Sequence, residues 1–280
     1  GSSLTCCYGL FFPFSNRDGQ PVPCGRCPPC RKSRVNGWVF RLLQESHRSG
    51  APFFVTLTYD NEHLQFTSRG YATLCVRHVQ LFFKRLRKMQ PHASIKYYCA
   101  GEYGTQKQRP HYHIILFGSD LASIYKCWDH GSVDISLEPV TASAIAYTAG
   151  YVLKGHRYTM SKSDDRLPEY AQMSKGLGSN YIYRDTIDYH QNGLIPFLTL
   201  SGGVKVAMPR YYKERIFHNA SFRDTLQAAA ADSGYANYTR HYDEYVRAHG
   251  SDDGYFHQLV NDRRAAIKQF LLHTKKSRKL

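Results

Sequence analysis

A chain of 280 residues with 42% hydrophobic residues can bury a core of its own, which excludes global disorder. No apolar run approaches the roughly 20 residues of a membrane span, and no secretory signal is read, so membrane and exported classes are set aside. The formal net charge of +15 points instead to polyanionic partners, nucleic acid first among them.

Along the chain, Gly1-Ser2 reads as a remnant of tag removal, and the first 30 residues are broken by Pro13, Pro21, Pro23, Pro28 and Pro29. From Arg31 a helix is predicted, because Val35, Trp38, Val39, Leu42 and Leu43 form one apolar stripe until Gly50 and Pro52 end it. Phe53 to Tyr59 is β-branched and aromatic and reads as a strand. Val76, Val79, Phe82, Phe83, Leu86 and Met89 mark a second helix with Lys84, Arg85, Arg87 and Lys88 on its outer side, stopped by Pro91. Ile95–Gly101 and His111–Phe117 read as two strands of an antiparallel hairpin. Ser143–Leu153 reads as a short helix, with Thr141 or Ser143 as its cap and Gly155 as its stop. Beyond residue 160 the pattern weakens. Ser161–Asp165 reads as loop, and Phe222–Ala248 and Gln258–Leu272 as helices, before a basic tail. The expected class is α+β, a central antiparallel sheet with flanking helices. The expected division is a Cys-rich segment and helix over 1–50, a core over 51–160, and a partly helical extension over 161–280.

The chemistry concentrates in three places. His111-Tyr112-His113 on a strand directs both imidazoles to one face, where they can chelate one ion. Fourteen histidines give about 0.7 such pairs by chance, so the motif gains weight only from its surroundings. Glu102 ends the preceding strand and supplies a third ligand; two imidazoles and a carboxylate leave positions open on Mg²⁺ or Mn²⁺. On the Ser143–Leu153 helix Tyr147 and Tyr151 share one face, with Lys154 next in the same series, while Ile145, Ala149 and Val152 mark the packed face. A tyrosine beside a polarised phosphate is a nucleophile, and a lysine offsets the charge that develops. Five cysteines cluster: Cys6, Cys7, Cys24, Cys27 and Cys30. They are candidate ligands of a structural Zn²⁺, with an iron–sulfur cluster or unliganded thiols as alternatives. Cys75, Cys99 and Cys127 read as buried or free thiols of an intracellular protein. Arg26, Arg31, Lys32 and Arg34 beside the cluster, with Lys84, Arg85, Arg87 and Lys88, are candidate DNA contacts.

Phe54–Tyr59, the run Gly101–Gly104 to Pro110–His113, and Tyr151-Val152-Leu153-Lys154 resemble the three motifs of HUH rolling-circle replication initiators. The doubled tyrosine and the runs Pro23–Cys30, Thr56–Leu64, Leu81–Lys88, Met173-Ser174 and Pro209–Tyr212 resemble the replication proteins of microviruses, gokushoviruses in particular, over roughly residues 6–215. The resemblance implies a ferredoxin-like sheet with the tyrosine helix over the metal. It implies a metal-dependent, site-specific endonuclease and strand transferase acting on a single-stranded viral origin. A tyrosine would leave a 5′-phosphotyrosine and a 3′-OH; host helicase and polymerase would be partners, in the bacterial cytoplasm. Tyr151 fits the family's Tyr-x-x-Lys pattern and is expected to initiate; Tyr147 has Gly150 where that lysine would stand. The alternatives are an HUH transposase or relaxase, and a non-enzymatic zinc-containing nucleic-acid binder.

Overall fold

The computed structural model describes residues 28–136, 141–153, 163–200 and 202–276. The chain divides into two compact units, Val35–Tyr181 and Gly1–Arg34 with Ile182–Leu280. Helix α1 (Pro28–Ser49) starts three residues before the expected Arg31. Pro28 and Pro29 occupy its first turn, where a missing N–H forfeits no helical bond. Then come β1 (Phe53–Thr58), β2 (Gln65–Phe66), β3 (Ala72–Thr73), α2 (Val76–Met89), β4 (Lys96–Tyr103), β5 (Pro110–Phe117), α3 (Leu121–Cys127), β6 (Val133–Ser136), α4 (Ala142–Leu153) and β7 (Tyr170–Met173). The described part of the second unit carries α5 (Arg184–Asn192), the short pair β8 (Phe197–Thr199) and β9 (Lys205–Ala207), α6 (Arg210–Ile216), α7 (Ala220–His249) and α8 (Tyr255–Lys276).

The first unit is built on a five-stranded antiparallel sheet in the order β6-β1-β5-β4-β7. The chain order β1-α2-β4-β5-α3-β6 therefore makes a ferredoxin-like sheet, with β7 added at the β4 edge. This is the α+β architecture expected, but β6 and β7 were not predicted. Both are four residues long and lack the β-branched density that marks β1 and β5. Strand β4 also runs two residues beyond the expected Gly101, so Glu102 lies within the strand rather than at its end.

Side chains alternate across the sheet, so each face has its own cover. On one face Val55, Leu57, Cys99, Tyr112, Ile114 and Leu116 pack against Val79, Phe82, Phe83 and Leu86 of α2 and Ile124 of α3. On the other, Tyr98, Ile115 and Phe117 pack against Val39 and Leu42 of α1 and Ile145 of α4. Helix α2 has the limits the apolar stripe predicts, although Met89 at its end is half exposed. Thr141 is the cap of α4, its Oγ1 accepting from the Ala144 N–H at 3.2 Å. A buried acid ties α1 to its surroundings: Glu45 is 0% exposed and accepts from Arg48, from Ser49 Oγ at 2.7 Å and from the Gly178 N–H at 2.9 Å, with Lys96 Nζ at 3.5 Å. Burial pushes its carboxyl up, and these partners outweigh burial and hold it below the usual carboxylate value.

In the second unit the expected Phe222–Ala248 and Gln258–Leu272 helices are the cores of α7 and α8. Gly250, at φ 74°, ends α7 in the left-handed conformation that glycine adopts without steric cost. Of the expected loop Ser161–Asp165, residues 163–165 are irregular and 161 and 162 lie outside the described residues.

Candidate functional site

The register of the sheet arranges two rows of side chains at one end of the face that α4 covers. One row runs Thr58, His111, Glu102 across β1, β5 and β4; the next runs Thr56, His113, Ala100 and then Ala171 on β7. Beyond them the same face becomes apolar with Ile115 and Tyr98. The small side chains of Ala100 and Ala171 leave this end of the face to the imidazoles. Glu102 is 6% exposed, so it is not a solvated surface acid.

The Nε2 atoms of His111 and His113 each lie 3.8 Å from the same Glu102 Oε2. Ligand atoms of the three residues all lie within 4.8 Å of one another, the one group among the described residues with that property. A spacing of 3.8 Å is too long for a hydrogen bond and near the roughly 3 Å that separates adjacent ligands on an octahedral ion. The other ring nitrogens are occupied. His111 Nδ1 lies 3.1 Å from the Arg109 carbonyl, which only accepts, so the proton sits on Nδ1 and Nε2 keeps its lone pair. His113 Nδ1 lies 3.2 Å from Thr56 Oγ1, a contact that favours the same tautomer. Burial lowers the His111 pKa. Burial, with the neighbouring His111, pushes His113 down to about 4. Both rings are therefore neutral at pH 7, the state a divalent cation needs. The three residues fit such an ion in donor type, protonation and spacing.

Helix α4 packs against β4 and β5 on the same face, through Ile145 and with Ala149 also buried. Tyr147 points outward from it at 47% exposure. The backbone of Tyr151 lies in the last turn of α4, while Lys154 lies outside the described residues, as do Arg26, Cys6, Cys7, Cys24 and Cys27. Cys30 stands in the first turn of α1, partly exposed. Cys99 and Cys127 are buried thiols. Lys32 and Arg34 are exposed on α1 and Arg31 is half-buried there.

The basic stretch on α2 is not beside the histidines. Helix α2 covers the opposite face of the sheet, and two of its four charges are engaged locally. Arg85 donates to Asp129 Oδ1 at 2.9 Å and Arg87 to the Ile95 carbonyl at 3.4 Å, while Lys84 and Lys88 are exposed. A helical stripe shows which side of α2 faces outward; it does not show which face of the sheet α2 covers.

Two features were missed from the sequence. Thr56, which anchors His113, is one β-branched residue among several in its strand and carries no local signal. The second is a polar cluster under α2. Tyr59 Oη lies 2.9 Å from both His78 Nδ1 and Tyr112 Oη, and the His130 ring stands 4.2 Å from that of His78 and 5.0 Å from that of His63. Tyr112 accepts from the Cys75 N–H at 2.8 Å. The middle residue of the His-x-His motif thus anchors the strand from behind.

A family model described as "Replication-associated protein ORF2" matches residues 52–156, a span that includes Glu102, His111, His113, Tyr147, Tyr151 and Lys154. The chain is 30% identical over 217 residues to Replication-associated protein ORF2 of Spiroplasma virus 4, covering 70% of this chain and 67% of that protein. It is 29% identical over 223 residues to Replication-associated protein ORF4 of Chlamydia phage 1, covering 69% and 53%, so it spans about half the length of that relative. It is 26% identical over 219 residues to Replication-associated protein VP4 of Bdellovibrio phage phiMH2K, covering 69% and 66%. No solved structure matches. With its antiparallel sheet, paired histidines and these relatives, the chain belongs to the microvirus-like family of phage replication-associated proteins.

Proposed function

We propose that the protein initiates rolling-circle replication by nicking and rejoining single-stranded DNA at a viral origin through a phosphotyrosine. The observation that carries this reading is that α4, with Tyr147 and Tyr151, packs on the same sheet face as Glu102, His111 and His113. In the proposed reaction a tyrosine Oη attacks the scissile phosphorus. The Tyr O–P bond forms, the P–O3′ bond breaks, and the departing oxygen takes a proton to become a free 3′-OH. Rejoining reverses this, the 3′-OH of an incoming strand attacking the phosphotyrosine and releasing the tyrosine. Glu102, His111 and His113 would hold a divalent cation, Mg²⁺ or Mn²⁺, which polarises the scissile phosphate. Lys154 would offset charge on the phosphotyrosine or on the leaving group. Tyr151 is assigned the first attack because it carries the Lys three residues on, and Tyr147 the second.

The net charge of +15 supports a polyanionic partner. We assign Arg26, Arg31, Lys32 and Arg34 to DNA contacts, and Cys6 or Cys7 with Cys24, Cys27 and Cys30 to a structural Zn²⁺. Among the described residues, no helix is long and apolar enough to cross a membrane. The proposed setting is the bacterial host cytoplasm, with host helicase and polymerase extending the 3′-OH. The test is incubation of the protein with labelled viral-strand DNA and Mn²⁺, followed by a denaturing gel. A covalent protein–DNA adduct is expected. A DNA-binding protein that forms no adduct under any divalent cation would refute the enzymatic reading in favour of a binding module.

A further inference from the structure

We infer that Glu169 is a second carboxylate of the Glu102–His111–His113 centre and sets its preference for hard divalent cations. This rests on the metal reading proposed above. The β4–β7 register pairs Ala100 with Ala171 and Gly101 with Tyr170, so the next position beside Glu102 is Glu169. Alternation puts Glu169 on the face of Ala171 and Met173, which is the face of Tyr98, Ile115 and the two histidines. The row of Thr58, His111 and Glu102 thereby gains a fourth member on the outermost strand.

Glu169 is held in that place. Its Oε1 accepts from the Tyr103 N–H at 2.8 Å, the backbone donor immediately after Glu102. Its Oε2 is shut away from solvent, as is Oε1 of Glu102. Two carboxylates that neighbour each other across a strand pair, each with an oxygen withdrawn from water, repel, and a shared dication offsets that cost. Two neutral imidazoles with one carboxylate form a set that suits Zn²⁺ well. A second carboxylate brings the ligand charge to −2 and shifts the set toward oxygen, which favours Mg²⁺ or Mn²⁺ and still leaves two octahedral positions for phosphate oxygens. Glu169 acts directly on the ion or through one water; in both cases its charge is what matters.

The experiment measures Mn²⁺ binding to the full chain by electron paramagnetic resonance, without DNA and without turnover. Glu169→Gln keeps an acceptor for the Tyr103 N–H and removes only the charge. The expected result is an Mn²⁺ Kd raised roughly tenfold, with less Zn²⁺ needed to displace the bound Mn²⁺. Glu169→Asp keeps the charge one methylene short and should weaken Mn²⁺ only several-fold, which preserves the test if the glutamine variant folds poorly. His113→Ala is measured in parallel. Wild-type Mn²⁺ affinity in both Glu169 variants, with binding lost in His113→Ala, overturns this inference and leaves the centre intact. Mn²⁺ binding that is unchanged in all three variants overturns the proposed centre itself.

Discussion

Thr56 Oγ1 lies 3.2 Å from His113 Nδ1 across the β1–β5 ladder, where the two residues are register partners. The hydroxyl fixes the imidazole from the side away from Glu102, and so aims Nε2 at the space between the three ligands. Thr56→Val keeps the shape and β-propensity and deletes that contact. Metal affinity should fall by roughly 10-fold or more, the usual cost of losing an outer partner of a histidine ligand. Calorimetric titration with Mn²⁺ checks this, and an unchanged Kd would make the contact incidental.

His111→Ala and His113→Ala should abolish nicking while leaving affinity for single-stranded DNA within about twofold, since binding rests on many phosphate contacts. Adduct assays and fluorescence anisotropy on the same preparations separate the two quantities. Nicking by either variant in metal-free buffer would remove the histidines from the chemistry.

Tyr151→Phe should form no adduct on an origin oligonucleotide. Tyr147→Phe should form one and then fail to complete strand transfer on a circular template. Phenylalanine is nearly isosteric, so the comparison reports chemistry rather than folding. Peptide mapping of the adduct identifies the nucleophile: an adduct on Tyr147 alone reverses the order, and similar rates at both make them interchangeable.

Glu45→Ala should destabilise the protein by about 2–4 kcal/mol, because it leaves the buried Gly178 N–H without its acceptor and frees Arg48 and Lys96. Thermal melting by circular dichroism provides the measurement. A change below about 0.5 kcal/mol would place Glu45 with ordinary surface acids.

Stability should also fall with acid in two stages. Burial lowers the pKa of His78 and His130, with their mutual proximity and His63 adding to it against the pull of Asp129. The unfolded chain then binds more protons than the folded one below the ordinary histidine value of 6.5, and stability declines as pH falls from there. Glu45, held below its ordinary value of 4.5, contributes stability that is present above that value and is lost as pH falls further. Chemical denaturation between about pH 7.5 and 4 should show the first decline, and His78→Gln should flatten it. A curve that stays level down to about pH 5 in the wild type would contradict the assignment.

The sequence by itself determined the elements whose signal is local. The apolar stripe of α2 predicted Val76–Met89 because a helix repeats every 3.6 residues whatever it packs against. The density of β-branched residues marked β1 and β5, and strand periodicity put His111 and His113 on one face before any partner was known. What only the tertiary structure decided was neighbourhood. The strand order β6-β1-β5-β4-β7 sets Glu102 beside His111, and it arises from long-range pairing that no short window encodes. The same order sets Thr56 behind His113 and brings Glu169, next to a strand the sequence did not reveal, to the edge of the same row. It also carries the basic side of α2 to the far face, because a right-handed β1-α2-β4 crossover fixes which face the helix must cover. Residue type and period decide what a segment becomes; the burial of both sheet faces decides which segments meet.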